Sequence, residues 1–248
     1  MYKEIVVCFK KPELSAEEFS RHWKEVHGPI FVESVPAVKR YIQNHLIQVP
    51  GYEYLGDGLV QMCWDTMETQ KKFGVWSNAR ESEDLADDTP KFTGSQDNAP
   101  IWLTEEHVIW NDEESKERVA LGENGLFSAA DTGVRHKYSF KIISLLFRRA
   151  DISRQDFNDY WMGKYPAVFS KHSPGVLKYV QNHLVESPGA DFRGDGVEEL
   201  WFENLESMKN FIASAKDNKV LADEVARFMD VNKEQTWLIE EHIMKWEQ

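Results

Sequence analysis

The chain repeats itself after 138 residues, and this repeat constrains the fold more than any other feature of the sequence. Residues 5–58 align with residues 143–196 at that offset without a gap, and 18 of the 54 aligned positions are identical. The copies align again at WLTEEHVIW (residues 102–110) and WLIEEHIMKW (residues 237–246). Self-similarity at a fixed offset is the signature of duplicated structural units. We predict two repeats, residues 1–110 and 138–248, joined by a connector at 111–137.

Local signals predict the element order β-α-β-β-α-β in each copy. In the first copy, a β-branched run at Glu4–Lys10 indicates a strand. Ser15 and Glu18 form a capping box that begins a helix, and the Gly-Pro pair at 28–29 is expected to end it. A strand at Val38–Val49, a turn at GDG, a third strand, a second helix and a final strand complete the copy.

This element order predicts an α+β fold made of two ferredoxin-like units. Each unit is expected to form a four-stranded sheet with both helices on one face. The other face of each sheet also needs cover, and packing the two sheets against each other would supply it. We therefore predict that the repeats pack sheet to sheet as a barrel-like sandwich within one chain.

Charge and cysteine content narrow the partners and the compartment. The net charge is −13 and the isoelectric point is near 5.1, which opposes binding to nucleic acid or to an anionic membrane surface. The chain has two cysteines, Cys8 and Cys63, and no CxxC motif, so a disulfide framework is not expected. The first residues lack a signal-peptide pattern, and no apolar run approaches the roughly 20 residues of a membrane span. We expect a cytoplasmic protein.

Two stretches resemble a known family. FKKPELSAEEFSRHWKEVHGPIF followed by VPAVKRYIQNHL is similar to the EthD-like family of dimeric α/β-barrel proteins. That pattern joins a Ser-capped helix bearing Phe and Trp, a histidine after it, and a Tyr-x-Gln-x-His strand. The second copy resembles it too, except that Tyr165 stands where His27 would be matched.

The resemblance implies a fold and a range of activities. Family members are usually single domains that pair as dimers, so the tandem chain resembles a dimer made covalent. The superfamily includes cofactor-free isomerases and lyases acting on lactones or polyketide-type aromatics, oxygen-using monooxygenases, haem enzymes and members with no established reaction.

The repeated strand YIQNHL supplies the candidate site. Alternation places Tyr41, Gln43 and His45 on one face of this strand. His27 lies four residues after Trp23 and continues the buried stripe of the first helix, so we predict that His27 and His45 share a pocket. A histidine both accepts and releases protons near neutral pH, which suits proton abstraction next to a carbonyl. We predict that His27, His45 and Tyr41 are catalytic.

The remaining candidates are expected to bind the substrate. In the first copy these are Gln43 and Trp23. In the second copy they are Tyr165, Tyr179, Gln181 and His183.

Each of these residues also has a purely structural interpretation. The repeated Tyr, Gln and His can satisfy a need of the fold, and the tryptophans fit core packing. The repeated EEH, which includes His107 and His242, has metal-ligand residue types, but two ligands on an end strand are weak support, and we predict no metal site. We interpret the acidic stretch at 79–88 as a solvated helix end, and His22, His136 and His172 as surface or capping residues.

The sequence thus predicts a lyase or isomerase that uses no cofactor. No Gly-rich phosphate loop and no nucleophile motif is present. The expected substrate is a small cyclic or aromatic carbonyl compound bound between sheet and helices, and a homodimer of the tandem chain is allowed. The alternatives are a binding or accessory protein without chemistry and an oxygen- or haem-dependent oxidoreductase.

Overall fold

A computed structural model describes residues 1–74, 82–95, 99–121, 138–186 and 194–247. The strands are β1 Tyr2–Cys8, β2 Arg40–Leu46, β3 Gly58–Trp64, β4 Ile101–Trp110, β5 Phe140–Leu146, β6 Lys178–Glu186, β7 Gly196–Phe202 and β8 Gln235–Trp246. The helices are α1 Ala16–His22, α2 Gly28–Ser34, α3 Met67–Phe73, α4 Glu83–Phe92, α5 Glu113–Ala120, α6 Arg154–Gly163, α7 Tyr165–His172, α8 Leu205–Lys216 and α9 Lys219–Val225. These elements confirm the predicted α+β class.

The chain divides into two compact units, and boundaries between them fall inside β4, β6 and β8. Unit 1 consists of Met1–Glu105, Val185–Arg193 and Glu240–Gln248, and unit 2 consists of Glu106–Leu184 and Gly194–Ile239. The predicted repeat boundaries and the predicted sheet-to-sheet packing stay predictions.

Hydrogen bonding gives the two units equivalent sheets. In unit 1 the order is β4-β1-β3-β2 followed by the end of β8, and in unit 2 it is the start of β8, then β5-β7-β6, then the end of β4. In unit 1, Val6 pairs with both Val60 and Ile101 across antiparallel strands. In unit 2, Ser144 pairs with Glu198 in the same register. Equivalent positions of the two sheets can therefore be compared side chain by side chain.

The first helix begins where the sequence predicts. The Ser15 hydroxyl accepts a hydrogen bond from the Glu18 backbone N–H at 3.1 Å, and the Glu18 carboxylate accepts one from the Ser15 N–H at 2.8 Å. This reciprocal pair satisfies two backbone donors that the first turn of a helix leaves without partners. The capping box predicted at Ser15 is confirmed.

The predicted end of this helix at the Gly-Pro pair is wrong. The backbone runs from α1 through a π-helical turn, Trp23–His27, directly into α2. Pro29 lies in the first turn of α2, where its missing N–H removes no intrahelical hydrogen bond. The Gly28 N–H instead bonds the Trp23 carbonyl five residues back, as π geometry requires. The π-helical turn therefore carries the chain past a sequence that usually stops a helix.

One tryptophan anchors the helices of each unit on its sheet. Trp23 in unit 1 and Trp161 in unit 2 are at most 2% exposed. A Cβ placed on Gly58 would clash with the Trp23 ring, and one on Gly196 would clash with the Trp161 ring. The last glycine of each GDG turn therefore makes room for the ring that packs over it.

The connector contains a helix, α5, whose first turn is capped by Asp112. Residues 122–137, including His136, lie outside the described residues. No helix in the described part of the chain combines the length and the hydrophobicity that a transmembrane span requires.

Candidate functional site

Unit 1 holds a cavity of about 740 Å³ between its sheet and its helices. The sheet side of the wall is apolar, with Val6, Val60 and Ile101 side by side on three strands. The helix side includes His27 and Phe92. A largely apolar cavity with few polar groups is the usual form of a small-molecule site.

A buried carboxylate holds two histidines on the helix side of this cavity. Asp88 of α4 is 2% exposed. One of its oxygens lies 3.1 Å from His27 Nδ1, and the other lies 3.0 Å from His22 Nε2. The ring of Phe92 packs against both imidazoles, at 4.8 Å from His27 and 4.9 Å from His22 between ring centres. The position and orientation of His27 are therefore fixed by contacts from a second helix.

The contact with Asp88 sets the tautomer of His27. A carboxylate oxygen only accepts hydrogen bonds, so the proton of a neutral His27 lies on Nδ1. Its Nε2 then carries a lone pair, and this atom has no hydrogen-bond partner among the described residues. Burial lowers the pKa of His27, and His22 acts in the same direction, while the hydrogen bond and charge of Asp88 oppose both. Neutral His27 is a base that lines the cavity.

The Tyr41 hydroxyl contributes a hydrogen-bond donor to the same cavity wall. It accepts hydrogen bonds from Trp23 Nε1 and from Gln43 Nε2, each at 3.3 Å. Both lone pairs are occupied, so the phenolic proton remains for an acceptor in the cavity. Burial raises the pKa of Tyr41, which keeps this proton on the oxygen. The ring of Phe31 stacks on the Tyr41 ring at 4.1 Å and also contacts the His27 ring. Phe31 therefore packs between Tyr41 and His27.

His45 serves a different purpose from His27. It is not among the residues that line the cavity. Its Nδ1 contacts the Ser20 hydroxyl, its Nε2 lies 3.1 Å from Gln43 Oε1, and its ring stacks on Trp23 at 4.8 Å. With both ring nitrogens occupied, His45 closes a hydrogen-bonded chain behind Tyr41. The structure thus places His27, Tyr41 and Trp23 at the cavity and His45 behind it, so the predicted pocket shared by His27 and His45 is not formed at this cavity.

Unit 2 repeats this chain of hydrogen bonds almost atom for atom. Trp161 Nε1 donates to the Tyr179 hydroxyl at 2.8 Å, and Gln181 Nε2 donates to the same oxygen at 3.0 Å and to the Trp161 carbonyl at 2.7 Å. His183 Nε2 lies 3.0 Å from Gln181 Oε1. In both units the polar face of the strand is bonded to itself and to a helix end. This geometry supports the structural interpretation of the repeated strand.

Acid should destabilise the fold through the two strand histidines. Burial lowers the pKa of His45 and of His183 from 6.5 to about 3, with the neighbouring His242 and His107 as further causes. The folded state binds protons less readily than the unfolded state, so stability is complete above pH 6.5 and falls as the pH drops towards 3. We expect each histidine to cost about 2 kcal/mol between about pH 7 and pH 5.

Urea unfolding of wild type and of His183→Gln at these two pH values measures this cost. The wild type should lose about 2 kcal/mol more than the variant. An equal loss in both proteins would show that His183 protonates as readily in the fold as in the unfolded chain.

The two units differ at the position of His27. Tyr165 takes that place in unit 2 and is 5% exposed. Tyr160 replaces His22, and its hydroxyl donates to Glu224 at 2.6 Å, so Glu224 stands where Asp88 stands in unit 1. Phe228 contacts Tyr160 and Tyr165 as Phe92 contacts the two histidines. Unit 2 keeps the carboxylate and the aromatic ring but lacks the imidazole base.

Asp88 was not among the residues predicted from the sequence. It lies at the end of an acidic stretch that was interpreted as solvated, and for Asp88 that interpretation is wrong. A signal was present, because Leu85, Asp88 and Phe92 fall at i, i+3 and i+7 on one face of a helix. From the sequence alone, His22 was interpreted as a surface or capping residue. In the structure it is the second histidine that hydrogen-bonds to the Asp88 carboxylate.

The repeated EEH places one imidazole beside each strand histidine. His242 meets His45 edge to face at 4.5 Å, and His107 meets His183 in the same way at 4.8 Å. Among the described residues, no group of three or more His, Cys, Asp or Glu side chains is arranged to hold a metal ion.

Comparisons with known proteins agree with this geometry. The sequence matches the EthD domain over residues 11–95 and 149–232. The chain has two copies of the β-α-β-β-α-β order, each with helices packed on its sheet. This arrangement is the one that defines the class of dimeric α/β-barrel proteins. Within that class the chain belongs to the EthD family, and the two matched segments confirm the predicted tandem resemblance.

Solved structures of similar fold cover almost the whole chain. An anthrone oxidase-like protein has a TM-score of 0.61 at 10% identity, covering 98% of this chain and 92% of its own. A candidate monooxygenase from Lactobacillus acidophilus NCFM has a TM-score of 0.53 at 8% identity, covering 99% and 96%. One from Fusobacterium nucleatum subsp. nucleatum has a TM-score of 0.54 at 8% identity, covering 98% and 93%. No curated protein sequence matches the chain significantly.

Proposed function

We propose that unit 1 catalyses proton transfer on a small cyclic or aromatic carbonyl compound, as a lyase or isomerase that needs no cofactor. One observation carries this proposal. A histidine oriented by a buried carboxylate lines a cavity of about 740 Å³, and its second ring nitrogen has no partner among the described residues. Such a carboxylate-imidazole pair is a common arrangement of a general base.

The proposed reaction begins with removal of a proton from the carbon next to the carbonyl group. His27 Nε2 takes the proton, and Asp88 stabilises the imidazolium that forms. The carbonyl oxygen gains negative charge, and the Tyr41 hydroxyl donates a hydrogen bond to it. Trp23 and Gln43 act through Tyr41, because their two hydrogen bonds hold its oxygen in place and direct its proton towards the ligand. Return of the proton to another atom completes an isomerisation.

The walls of the cavity favour a flat apolar substrate. The rings of Trp23, Phe31 and Phe92 line it together with the three aliphatic residues of the sheet. Water is a poor occupant of such a site, so the charges that develop during proton transfer are weakly screened. A planar aromatic ketone or lactone matches these walls.

Hydrogen exchange of bound ligands tests this proposal directly. Wild-type protein is incubated in deuterated buffer with aromatic cyclic ketones and lactones, and deuterium at the carbon next to the carbonyl is measured by mass spectrometry. We expect enzyme-dependent exchange, with loss of this exchange in His27→Gln. Absence of exchange for ligands that demonstrably bind in the cavity would contradict a catalytic role.

Two alternatives share the same cavity. A binding protein without chemistry is favoured by the strand in which Tyr41, Gln43 and His45 are bonded to one another, and it would bind these ligands without exchange. An oxygen-dependent oxidoreductase would begin with the same proton abstraction, and structures of similar fold bear the names anthrone oxidase-like protein and candidate monooxygenase. Uptake of dioxygen during the exchange experiment would support it. The cytoplasmic location and the homodimer stay predictions.

A further inference from the structure

We propose that unit 2 carries a second ligand site, at the position equivalent to the unit-1 cavity, and that this site binds a small organic ammonium compound. The two sites would then take ligands of different charge.

The argument starts from the register of the two sheets. In unit 1, the wall of the cavity is formed by a row of apolar residues, Ile101, Val6 and Val60, on neighbouring strands. In unit 2 the residues at the matching positions are Thr236, Ser144 and Glu198. A contact supports this assignment of equivalent positions. The hydroxyl oxygens of Ser144 and Thr236 are 3.1 Å apart, and the equivalent residues of unit 1, Val6 and Ile101, are paired across neighbouring strands. The row of residues that is apolar in unit 1 is therefore polar in unit 2.

The polar row extends from Thr236 to the surface of unit 2. Glu234 lies two residues before Thr236, where unit 1 has Ala99 of the cavity wall. The Thr236 hydroxyl donates to the Glu234 carboxylate at 3.3 Å. Glu234 is exposed and Glu198 is half-buried, so the carboxylates lead from solvent inwards.

Within the described ranges, neither carboxylate has a cationic partner. No Lys, Arg or His in the described part of the chain forms an ion pair with Glu198 or Glu234. Burial and the neighbouring Glu234 carboxylate raise the pKa of Glu198 to about 8. Such a shift reports an unfavourable negative charge, which a bound cation would relieve.

Tyr165 provides a second, independent indication of a ligand. It is 5% exposed, yet its hydroxyl has no hydrogen-bond partner among the described residues. Its position is that of His27, which lines the cavity in unit 1, and Glu198 is the charged group that acts most strongly on it. The hydroxyl itself keeps some exposure, so it is available to donate to or accept from a bound group.

Aromatic rings pack beside Tyr165 and favour one kind of cation. Tyr165 stacks on Phe169 at 5.2 Å, and Phe228 lies 5.2 Å from Tyr165. The faces of aromatic rings attract organic ammonium groups, and this attraction adds to that of the carboxylates. The combination favours an amine attached to a small apolar group over a hydrated metal ion.

Calorimetric titration with benzylammonium chloride tests the proposal, and benzyl alcohol serves as the neutral probe of similar shape. We expect saturable binding of benzylammonium and binding of benzyl alcohol weaker by about tenfold or more. Glu198→Val installs the residue of unit 1, and Glu198→Gln removes only the charge in case the first variant is unstable. Both should weaken benzylammonium binding by about tenfold or more. Asp88→Asn, in the unit-1 site, should leave it unchanged.

Three results would overturn the proposal. They are an absence of saturation by wild type up to about 10 mM probe, equal affinity for the charged and neutral probes, and undiminished affinity in both Glu198 variants. None of these results bears on proton transfer in unit 1, which is measured separately by hydrogen exchange.

Discussion

Replacing Asp88 with Asn should lower the rate of proton transfer in unit 1 by about 10² to 10⁴ fold, with a small effect on ligand affinity. The carboxylate holds the proton of His27 on Nδ1 and leaves Nε2 free to act as a base. An amide can instead donate its N–H to Nδ1, which places the proton on Nε2 and removes the base. The variant also loses the charge that opposes the effect of burial on the pKa of His27, so this pKa should fall further.

Two measurements check this expectation. Hydrogen exchange of a bound ketone reports the rate, and nitrogen NMR of the His27 ring reports which nitrogen carries the proton. Asp87→Asn is the matched control, because Asp87 lies next to Asp88 in α4 but is exposed. An exchange rate of Asp88→Asn within about threefold of wild type would exclude the carboxylate-imidazole pair as the base.

Replacing Gln181 with Leu should lower the free energy of unfolding of unit 2 by about 3 kcal/mol. The Gln181 side chain is fully buried, and its amide bonds the Trp161 carbonyl, the Tyr179 hydroxyl and His183 Nε2. Leucine has a similar size and satisfies none of these groups. The loss follows from unpaired polar groups in a buried site, because little volume is lost.

Urea unfolding measures this loss, and Gln155→Leu is the matched control. Gln155 is exposed in α6, and among the described residues its amide bonds only Asp159, at 2.8 Å, so its replacement should change the stability by less than about 0.5 kcal/mol. If Gln181→Leu cost no more than Gln155→Leu, the polar strand would not be a structural element, and its side chains would be available to a ligand.

Local chemistry explains which parts of the fold the sequence predicts. The capping box at Ser15, the alternation along β2 and the GDG turn each depend on residues a few positions apart, and all lie where they were expected. The end of the first helix was missed because the effect of a proline depends on its position. Proline has no N–H, and the first turn of α2, which follows the π-helical turn, is a position at which a helix tolerates this loss.

The candidate site was predictable only in part. His27, Tyr41 and Trp23 follow from helical and strand periodicity, and the structure places all three at one cavity. Asp88 is separated from His27 by 61 residues in the chain, so its role depends on tertiary packing that periodicity does not encode. Like its acidic neighbours it has a charged side chain, and only the burial of the helix face distinguishes it from them.

The difference between His27 in unit 1 and Tyr165 in unit 2 shows how the two halves of a tandem chain can diverge in sequence. When two identical subunits associate, every mutation appears on both sides of the assembly at once. In a covalent tandem, a mutation in one half is not copied into the other. One half can therefore keep one function while the other half changes to bind a different ligand.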